Sequence, residues 1–187
     1  MSGEENFGRL TSWLYYLFAI PLMRPVYAFV ADDVVRSGAK RVLDVGTGPA
    51  QVPIMLSSMS RKLEIYAVDP SDYMLSIASR RSGGLGIHLG SGYSLHIPFR
   101  TKFDLIISSI SFHHWAHKKE SLRYLSGFLR RSGEIRIYEF RKVKHLIIQE
   151  SHSMGEDEFR RIAEGTGLRV KSIIERKGIL RASYVKS

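Results

Sequence analysis

The sequence predicts an α/β fold in which a mostly parallel, doubly wound sheet of seven strands closes with a C-terminal antiparallel hairpin. Two observations support this prediction. From about residue 40 onward, short apolar runs rich in β-branched residues alternate with helix-like segments, as in parallel β-α units. Near the C-terminus, two strand-like runs are separated only by Lys177-Gly178, which is typical of a hairpin turn.

The predicted elements follow one another in the order that such a sheet requires. Hydrophobic periodicity predicts strands at 41–45, 63–68, 86–89, 103–109, 134–140, 168–176 and 179–186. Helices are predicted at 49–60, 72–81, 118–128 and 155–165. Five β-α units followed by a hairpin give a Rossmann-like sheet with one antiparallel strand.

The N-terminal region has a different pattern. Apolar positions in residues 11–37 are too dense for an amphipathic stripe, which predicts one or two mostly buried helices that break or restart at Pro21 and Pro25. We therefore expect a single domain, residues 1–187, with a helical lid at 1–37 and a Rossmann-like core at 38–187. Alternatively, the apolar N-terminal segment packs in the core of the domain or forms an interface.

A membrane-spanning segment is not expected. The apolar run from Trp13 to Met23 is about half of the roughly 20 residues that a transmembrane helix needs. Glu4 and Glu5 precede this run, whereas a signal peptide begins with basic residues. The absence of cysteine excludes disulfides, thiolate metal sites and cysteine nucleophiles, and no metal site is predicted. These features fit a cytoplasmic protein.

The charge is unevenly distributed. The net charge is +10, and residues 116–187 carry 17 Lys and Arg against 9 Asp and Glu. Such an excess favours an acidic partner, for example nucleic acid, a phosphorylated metabolite or an anionic membrane surface, with a solvated basic face as the alternative. The sequence carries no signal for an oligomeric state.

Two acids and a glycine-rich turn form the main chemical motif. The first predicted strand ends in Asp44-Val45-Gly46-Thr47-Gly48, and the second ends in Asp69. Both strand ends lie at the ligand-binding edge of such a sheet, where an acid accepts hydrogen bonds from a ribose diol. A dinucleotide fingerprint is excluded because Gln51 occupies the position of its third glycine. Asp44 suits a cationic ligand, and S-adenosylmethionine carries both a sulfonium and an ammonium group.

Several motifs, in order, resemble those of class I S-adenosylmethionine-dependent methyltransferases, in particular the ubiquinone/menaquinone-biosynthesis subgroup. The resemblance runs from about residue 40 to the C-terminus and rests on the segments 42–48, 66–75, 90–99, 103–115 and 129–134. It implies a class I methyltransferase fold, S-adenosylmethionine as cofactor and an EC 2.1.1 transferase activity.

The resemblance also implies a set of cofactor-binding residues. Those residues are Asp44, Gly46, Thr47, Gly48, Asp69, Pro70, Met74, Ser91, Gly92, Ser109 and Ile110. The sequence departs from the family pattern twice. Ser91 replaces an acid that accepts from the adenine amino group, which weakens that contact. Ala50 replaces a third loop glycine, which we interpret as a mild change that a helix tolerates.

The resemblance favours methyl transfer to a small molecule, at oxygen, carbon or nitrogen. His113 and His114 are candidates for a general base because imidazole titrates near neutrality. The alternative for these histidines is stacking on Trp115 or capping the next helix. Two other functions stay open: an RNA methyltransferase that uses the basic C-terminal half, and a regulatory module that binds the cofactor without catalysis. The RNA hypothesis requires Arg141, Lys142 and Lys144 at the pocket mouth, more than Arg130 and Arg131.

Overall fold

The computed structural model describes residues 20–142 and 153–187. Its strands are β1 (Arg41–Val45), β2 (Glu64–Asp69), β3 (Ile87–Ser91), β4 (Phe103–Ser109), β5 (Leu129–Arg141), β6 (Ser153–Met154), β7 (Leu168–Arg176) and β8 (Ile179–Lys186). Its α-helices are α1 (Ile20–Arg36), α2 (Gln51–Met59), α3 (Asp72–Arg81), α4 (Lys118–Ser126) and α5 (Glu156–Ala163). A short 3-10 helix spans Phe112–His114.

The strand order in the sheet is β3-β2-β1-β4-β5-β8-β7, and the two-residue β6 pairs with the end of β5. All pairings are parallel except those of β8, which runs antiparallel to both β5 and β7. The predicted Rossmann-like fold is therefore confirmed, with β6 as an addition to the seven predicted strands. Lys177 and Gly178 both have positive φ (52° and 77°), as the tight hairpin turn requires.

Several predicted element boundaries differ from the observed ones, and two of these differences have a structural reason. Strand β5 begins at Leu129 rather than at residue 134, because the basic stretch before Gly133 continues the pairing with β4 through an irregularity in register. Helix α2 begins at Gln51, and Ala50 precedes it with φ 58° in the left-handed region. The interpretation of Ala50 as a helical residue is thus corrected: it occupies a conformation that favours glycine.

Helix α1 forms part of the core layer. The predicted break at Pro25 was wrong, because the helix continues through this residue to Arg36. Tyr27, Val30 and Val34 on this helix are buried against the sheet, and this packing offsets the single hydrogen bond that proline cannot donate. The lid predicted at 1–37 stays a prediction for residues 1–19, which lie outside the described residues. No helix among the described residues is long and apolar enough to cross a membrane.

The sheet is covered on both faces. On one face, α1 and α2 pack on alternate residues of the central strands, including Val42, Leu105 and Ile107. On the other, α4, α5 and the 3-10 helix pack on Leu43 and Ile106. This alternation is the expected result of the two-residue period of a strand, and it leaves the ends of the strands as the places where polar groups converge.

A cluster of charged residues ties α1 to the sheet. Both carboxylate oxygens of Asp33 on α1 form ion pairs, with Arg136 on β5 at 2.8 Å and with Arg181 on β8 at 2.7 Å. The Tyr138 hydroxyl donates to the same carboxylate at 2.6 Å. These bonds fix the helix against the two strands whose ends adjoin the site described below.

Candidate functional site

The site lies at the edge of the sheet where β1, β2, β4 and β5 end, called the carboxyl edge here. The turn after β1 is held by the N–H groups of Gly46 and Thr47, which donate to the Val68 carbonyl at 2.9 and 3.0 Å. Gly46 has φ 77°, and a Cβ there would lie 2.4 Å from Ser111 Oγ. Gly48 has φ 53° and open space where its Cβ would be. The turn therefore requires glycine at both positions and leaves its backbone accessible at Gly48.

Asp44 is a buried acid with an unsatisfied oxygen. Its side chain is 2% exposed, Oδ2 accepts from Thr47 Oγ1 at 2.8 Å, and Oδ1 has no hydrogen-bond partner in the described structure. Burial raises the pKa of Asp44 to about 7, against the lowering effect of the Thr47 bond. A buried carboxylate oxygen without a hydrogen-bond partner raises the free energy of the folded protein. A cation bound beside this oxygen offsets that increase.

Asp69 is oriented by backbone groups. Its Oδ2 accepts from Gly48 N–H at 2.7 Å and its Oδ1 from Ser71 N–H at 2.9 Å. Burial nevertheless raises the pKa of this carboxyl group above its ordinary value. Each carboxylate oxygen keeps a second lone pair for a further donor. The carboxylate is thus fixed at the end of β2, linked to the β1 turn, and suited to receive two hydroxyl groups.

The other predicted residues of β2 and β3 surround Asp69. Met74 is buried in the first turn of α3, where its N–H donates to the Ser71 cap at 3.3 Å, and Pro70 is exposed beside it. Ser91 pairs in register with Asp69 and is exposed. Gly92 is buried, and a Cβ there would lie 2.5 Å from the His96 carbonyl. Close packing against this carbonyl is sufficient to require glycine at position 92.

The end of β4 carries backbone strain. Ile110 has φ 53°, a conformation that is rare for a β-branched residue, and its N–H donates to the Tyr138 carbonyl at 2.8 Å. Strained residues of this kind cluster at binding and catalytic sites. Ser111 follows, and its hydroxyl lies 2.7 Å from Ser108 Oγ and 3.1 Å from the Val45 carbonyl. Ser111 therefore holds the end of β4 against the end of β1.

The two candidate histidines have different environments. The His113 side chain is 8% exposed, and its Nδ1 lies 2.9 Å from Oε2 of Glu139, which is completely buried on β5. The His113 N–H also donates to Oε1 of Glu139 at 3.1 Å. His114 is exposed, and its ring centre lies 4.0 Å from that of His113. The carboxylate fixes the orientation of the His113 ring, as acids do for catalytic imidazoles.

Glu139 and Ser111 were missed by the sequence analysis. Position 139 lies two residues after Ile137 and four after Ile135, both of which are buried on one face of β5. An acid in that alternation is expected to point into the core, and this signal was available in the sequence. Ser111 gave no signal, because its role depends on how closely Gly46 approaches it.

The residues present fit S-adenosylmethionine. The unsatisfied Oδ1 of Asp44 suits the cationic end of that cofactor, and the open space at Gly48 allows a ligand to approach the backbone. Asp69 offers acceptors for a ribose diol at the other end. These features lie on adjacent strands, β1 and β2, in the order that the resemblance implies.

Of the three cations that the RNA hypothesis requires at the pocket mouth, Arg141 and Lys142 lie in the described residues, at the end of β5. Arg141 forms an ion pair with Glu175 on β7 at 2.6 Å, toward the terminal hairpin. The N–H of Lys142 donates to the Met154 carbonyl, whereas Lys144 lies outside the described residues. Arg130 and Arg131 lie near the start of β5, at the opposite edge of the sheet. In the described ranges 20–142 and 153–187, no group of three or more acidic or histidine residues is arranged to hold a metal.

Comparison with known proteins gives concordant matches. A family model described as "Methyltransferase domain" matches residues 42–133. An uncharacterized methyltransferase of Staphylococcus carnosus is 29% identical over 70% of this chain and 66% of its own length. A demethylmenaquinone methyltransferase of Thermotoga maritima is 30% identical over 59% of this chain and 48% of its own length. The chain therefore spans between about half and two thirds of these relatives.

A solved structure shows the same fold. The crystal structure of a SAM-dependent methyltransferase from Aquifex aeolicus superposes with a TM-score of 0.70 at 23% identity, over 82% of this chain and 87% of that one. The strand order, the acids at the ends of β1 and β2 and these matches agree with one another. The protein thus has the fold and the ordered sequence motifs of class I S-adenosylmethionine-dependent methyltransferases and resembles their quinone-biosynthesis subgroup.

Proposed function

We propose that the protein transfers a methyl group from S-adenosylmethionine to a small-molecule acceptor, at an oxygen, carbon or nitrogen whose nucleophilicity depends on loss of a proton. The observation that carries this proposal is the buried His113–Glu139 pair at the carboxyl edge. A completely buried acid whose partners are the imidazole and the backbone N–H of a single histidine is costly to the folded state, and such pairs are found where a base must be oriented.

Each residue of the site has a role in this proposal. The cofactor supplies an electrophilic methyl group on a sulfonium, which needs alignment more than activation. Asp44 binds the cationic end of the cofactor and Asp69 binds the ribose hydroxyls. His113 accepts the proton that the acceptor loses, and Glu139 holds the imidazole with Nδ1 toward the protein.

Two observations support a small acceptor over RNA. Of the cations that the RNA hypothesis requires at the pocket mouth, Arg141 is already paired with Glu175. A polyanionic acceptor needs several cations around the pocket, since phosphate contacts dominate its affinity. The relatives named demethylmenaquinone methyltransferase act, by their names, on a small quinone derivative. We therefore propose a reduced aromatic or quinol-type molecule as the acceptor class.

Transfer of a labelled methyl group tests this proposal. The full chain is incubated with methyl-labelled S-adenosylmethionine and either a short-chain reduced demethylmenaquinone, simple phenols and catechols, or total RNA. We expect label in an organic-extractable small product and none above background in RNA. The Asp44→Asn variant serves as the control for non-enzymatic transfer. Label in RNA alone would show that the acceptor is RNA and not a small molecule. Binding of the cofactor without transfer to any acceptor would favour a regulatory module that binds the cofactor without catalysis.

A further inference from the structure

The cations of the protein concentrate at the edge of the sheet where β1, β2, β4 and β5 begin, called the amino edge here. The connections into these strands, the first residues of β5 and β7 and the last residue of β8 all lie at this edge. Ten of its Lys and Arg residues are Lys40, Arg41, Arg61, Lys62, Lys102, Arg130, Arg131, Arg169, Lys171 and Lys186. The cofactor site is at the opposite edge, so the proposed methyl transfer does not explain this concentration.

The acids at the amino edge do not cancel this charge. Glu64 is paired with Arg41, and Asp104 accepts from the N–H groups of Lys40 and Arg41 and from Arg130. Burial raises the pKa of Glu134, but bonds from Arg136 and Lys171 outweigh it and lower that pKa to about 2. Among the described residues, three of these ten cations (Arg41, Arg130 and Lys171) form an ion pair with an acid, so the other seven charges are not offset in this way.

A polar pocket opens between the strands at this edge. Its volume is about 430 Å³, and it lies between the loop before β1 and the starts of β4 and β5. Its wall carries four cations (Lys40, Arg130, Arg136 and Lys171), the carboxylates of Asp104 and Glu134, and the Ser132 hydroxyl. Asp104 is paired with Arg130, and Glu134 is paired with Arg136 and Lys171, so the pocket is a polar part of the surface with more cations than carboxylates.

Exposed aliphatic side chains accompany the cations. Among the described residues, four large apolar side chains are exposed: Val35, Met59, Leu85 and Ile174. The first three lie at the amino edge: Val35 and Met59 in the last turns of α1 and α2, and Leu85 just before β3. Singly exposed apolar residues are ordinary, but three at one edge together with ten cations form a combined basic and apolar surface.

The extent of this surface argues against a free small anion. It crosses six neighbouring strands from β2 to β7, so at about 4.8 Å per strand it is roughly 24 Å long. That length exceeds the Debye length of about 8 Å at physiological ionic strength, so its two ends attract separate negative charges. An occupant must therefore carry many phosphates. Aliphatic tips among cations favour a lipid surface over nucleic acid, because they insert between headgroups but have no partner on a phosphate backbone.

We propose that the amino edge docks on an anionic phospholipid surface, with its unpaired cations against the headgroup phosphates and with Val35, Met59 and Leu85 at the level of the headgroups. In this orientation the carboxyl edge, with its cofactor site, faces away from the lipid. Lys62 and Arg131 are exposed and bond to no other described residue, so they contribute charge without holding the fold.

Sedimentation of the full chain with vesicles tests this surface. Vesicles of phosphatidylglycerol and phosphatidylcholine are compared with vesicles of phosphatidylcholine alone. The variant Lys62→Gln/Arg131→Gln is expected to bind the anionic vesicles about 25-fold more weakly, since each cation near such a surface contributes about fivefold. The control Lys119→Gln/Lys177→Gln removes the same charge at the carboxyl edge and is expected to change binding less than about twofold.

A second variant separates lipid from nucleic acid. Met59→Ser/Leu85→Ser is expected to weaken vesicle binding about fivefold and to leave binding to an oligouridine unchanged. Equal losses in both charge variants would show attraction by net charge alone and would overturn the proposal. A different result would assign the surface to nucleic acid: the protein binds oligouridine more tightly than vesicles, and Met59→Ser/Leu85→Ser changes neither binding. The assay uses neither donor nor acceptor, so its result is independent of the proposed methyl transfer.

Discussion

The Asp44→Asn variant is expected to bind S-adenosylmethionine about 100-fold more weakly than the wild-type protein, a loss of about 2.7 kcal/mol. The reason is the position of the carboxylate. Asp44 Oδ1 is buried and has no partner in the described structure, so the charge that it offers a bound cation is barely screened by water. Asparagine has nearly the same shape and keeps an acceptor for Thr47, but it carries no charge.

The same substitution is expected to stabilise the unliganded protein at high pH. Burial raises the pKa of Asp44 from 3.8 to about 7, so the native carboxyl group keeps its proton over a range in which the unfolded one has lost it. Stability linked to this proton is complete below about pH 4 and is lost as the pH rises to 7. Asparagine does not ionise, so its advantage should grow over that interval and reach about 4 kcal/mol at pH 8.

Denaturant unfolding at pH 5 and pH 8, with calorimetric titration of the cofactor at pH 8, measures both effects. Asp157→Asn on the exposed first turn of α5 is the matched control, and neither quantity should change in it. Wild-type affinity in the Asp44→Asn protein would show that this carboxylate does not face a cation. Equal stability of the two proteins at both pH values would show that the carboxylate is solvated.

The His113→Ala variant is expected to lower kcat by about 10² to 10⁴, the range for loss of a general base. The dissociation constant for S-adenosylmethionine should stay within about twofold, because the imidazole pairs with Glu139 and not with the cofactor-binding acids. His114→Ala is the matched control. This neighbour is exposed, and its removal should change kcat less than about threefold.

The Glu139→Gln variant extends this comparison. Glutamine has one acceptor oxygen where Glu139 uses two, for Nδ1 and for the backbone N–H of His113, and it removes the charge that stabilises the imidazolium. We therefore expect kcat about 10- to 100-fold below that of the wild type. The wild type and His114→Ala should then be the most active proteins. Glu139→Gln should be less active, and His113→Ala should be the least active. Steady-state rates with the acceptor identified by label transfer, together with thermal unfolding of each variant, measure this order. Equal activity of His113→Ala and His114→Ala would show that His113 is not a general base.

The fold was predictable because its signals are local. The glycine turn after Val45 and the Lys177-Gly178 turn each determine how two strands are joined, and the runs 103–109 and 168–176 end at the predicted residues. Asp44 and Asp69 were found because strand ends in a parallel sheet meet at one edge, whatever the packing elsewhere. The order of the strands along the chain and the residue types in the turns were sufficient to predict the fold and to identify the two acids.

The features that were missed depend on contacts between distant residues. Glu139 meets His113 only because β5 lies beside β4, 26 residues apart along the chain. The left-handed conformation of Ala50 depends on the path of the turn, and alanine gives no local signal for it. Helix α1 continues through Pro25 because packing on the sheet outweighs local propensity. Likewise, the edge of the sheet at which the basic residues of the C-terminal half lie depends on the strand order.

Calorimetric titration of the wild-type chain with S-adenosylmethionine and, separately, with NAD tests the central assignment most directly. The cofactor site should give saturable one-to-one binding of S-adenosylmethionine, with Asp44 and Asp69 at its two ends. NAD should give no measurable heat, because Gln51 replaces the glycine that a pyrophosphate loop needs and Asp44 repels its negative charge. Saturable NAD binding in the micromolar range, or no binding of S-adenosylmethionine, would contradict the assignment.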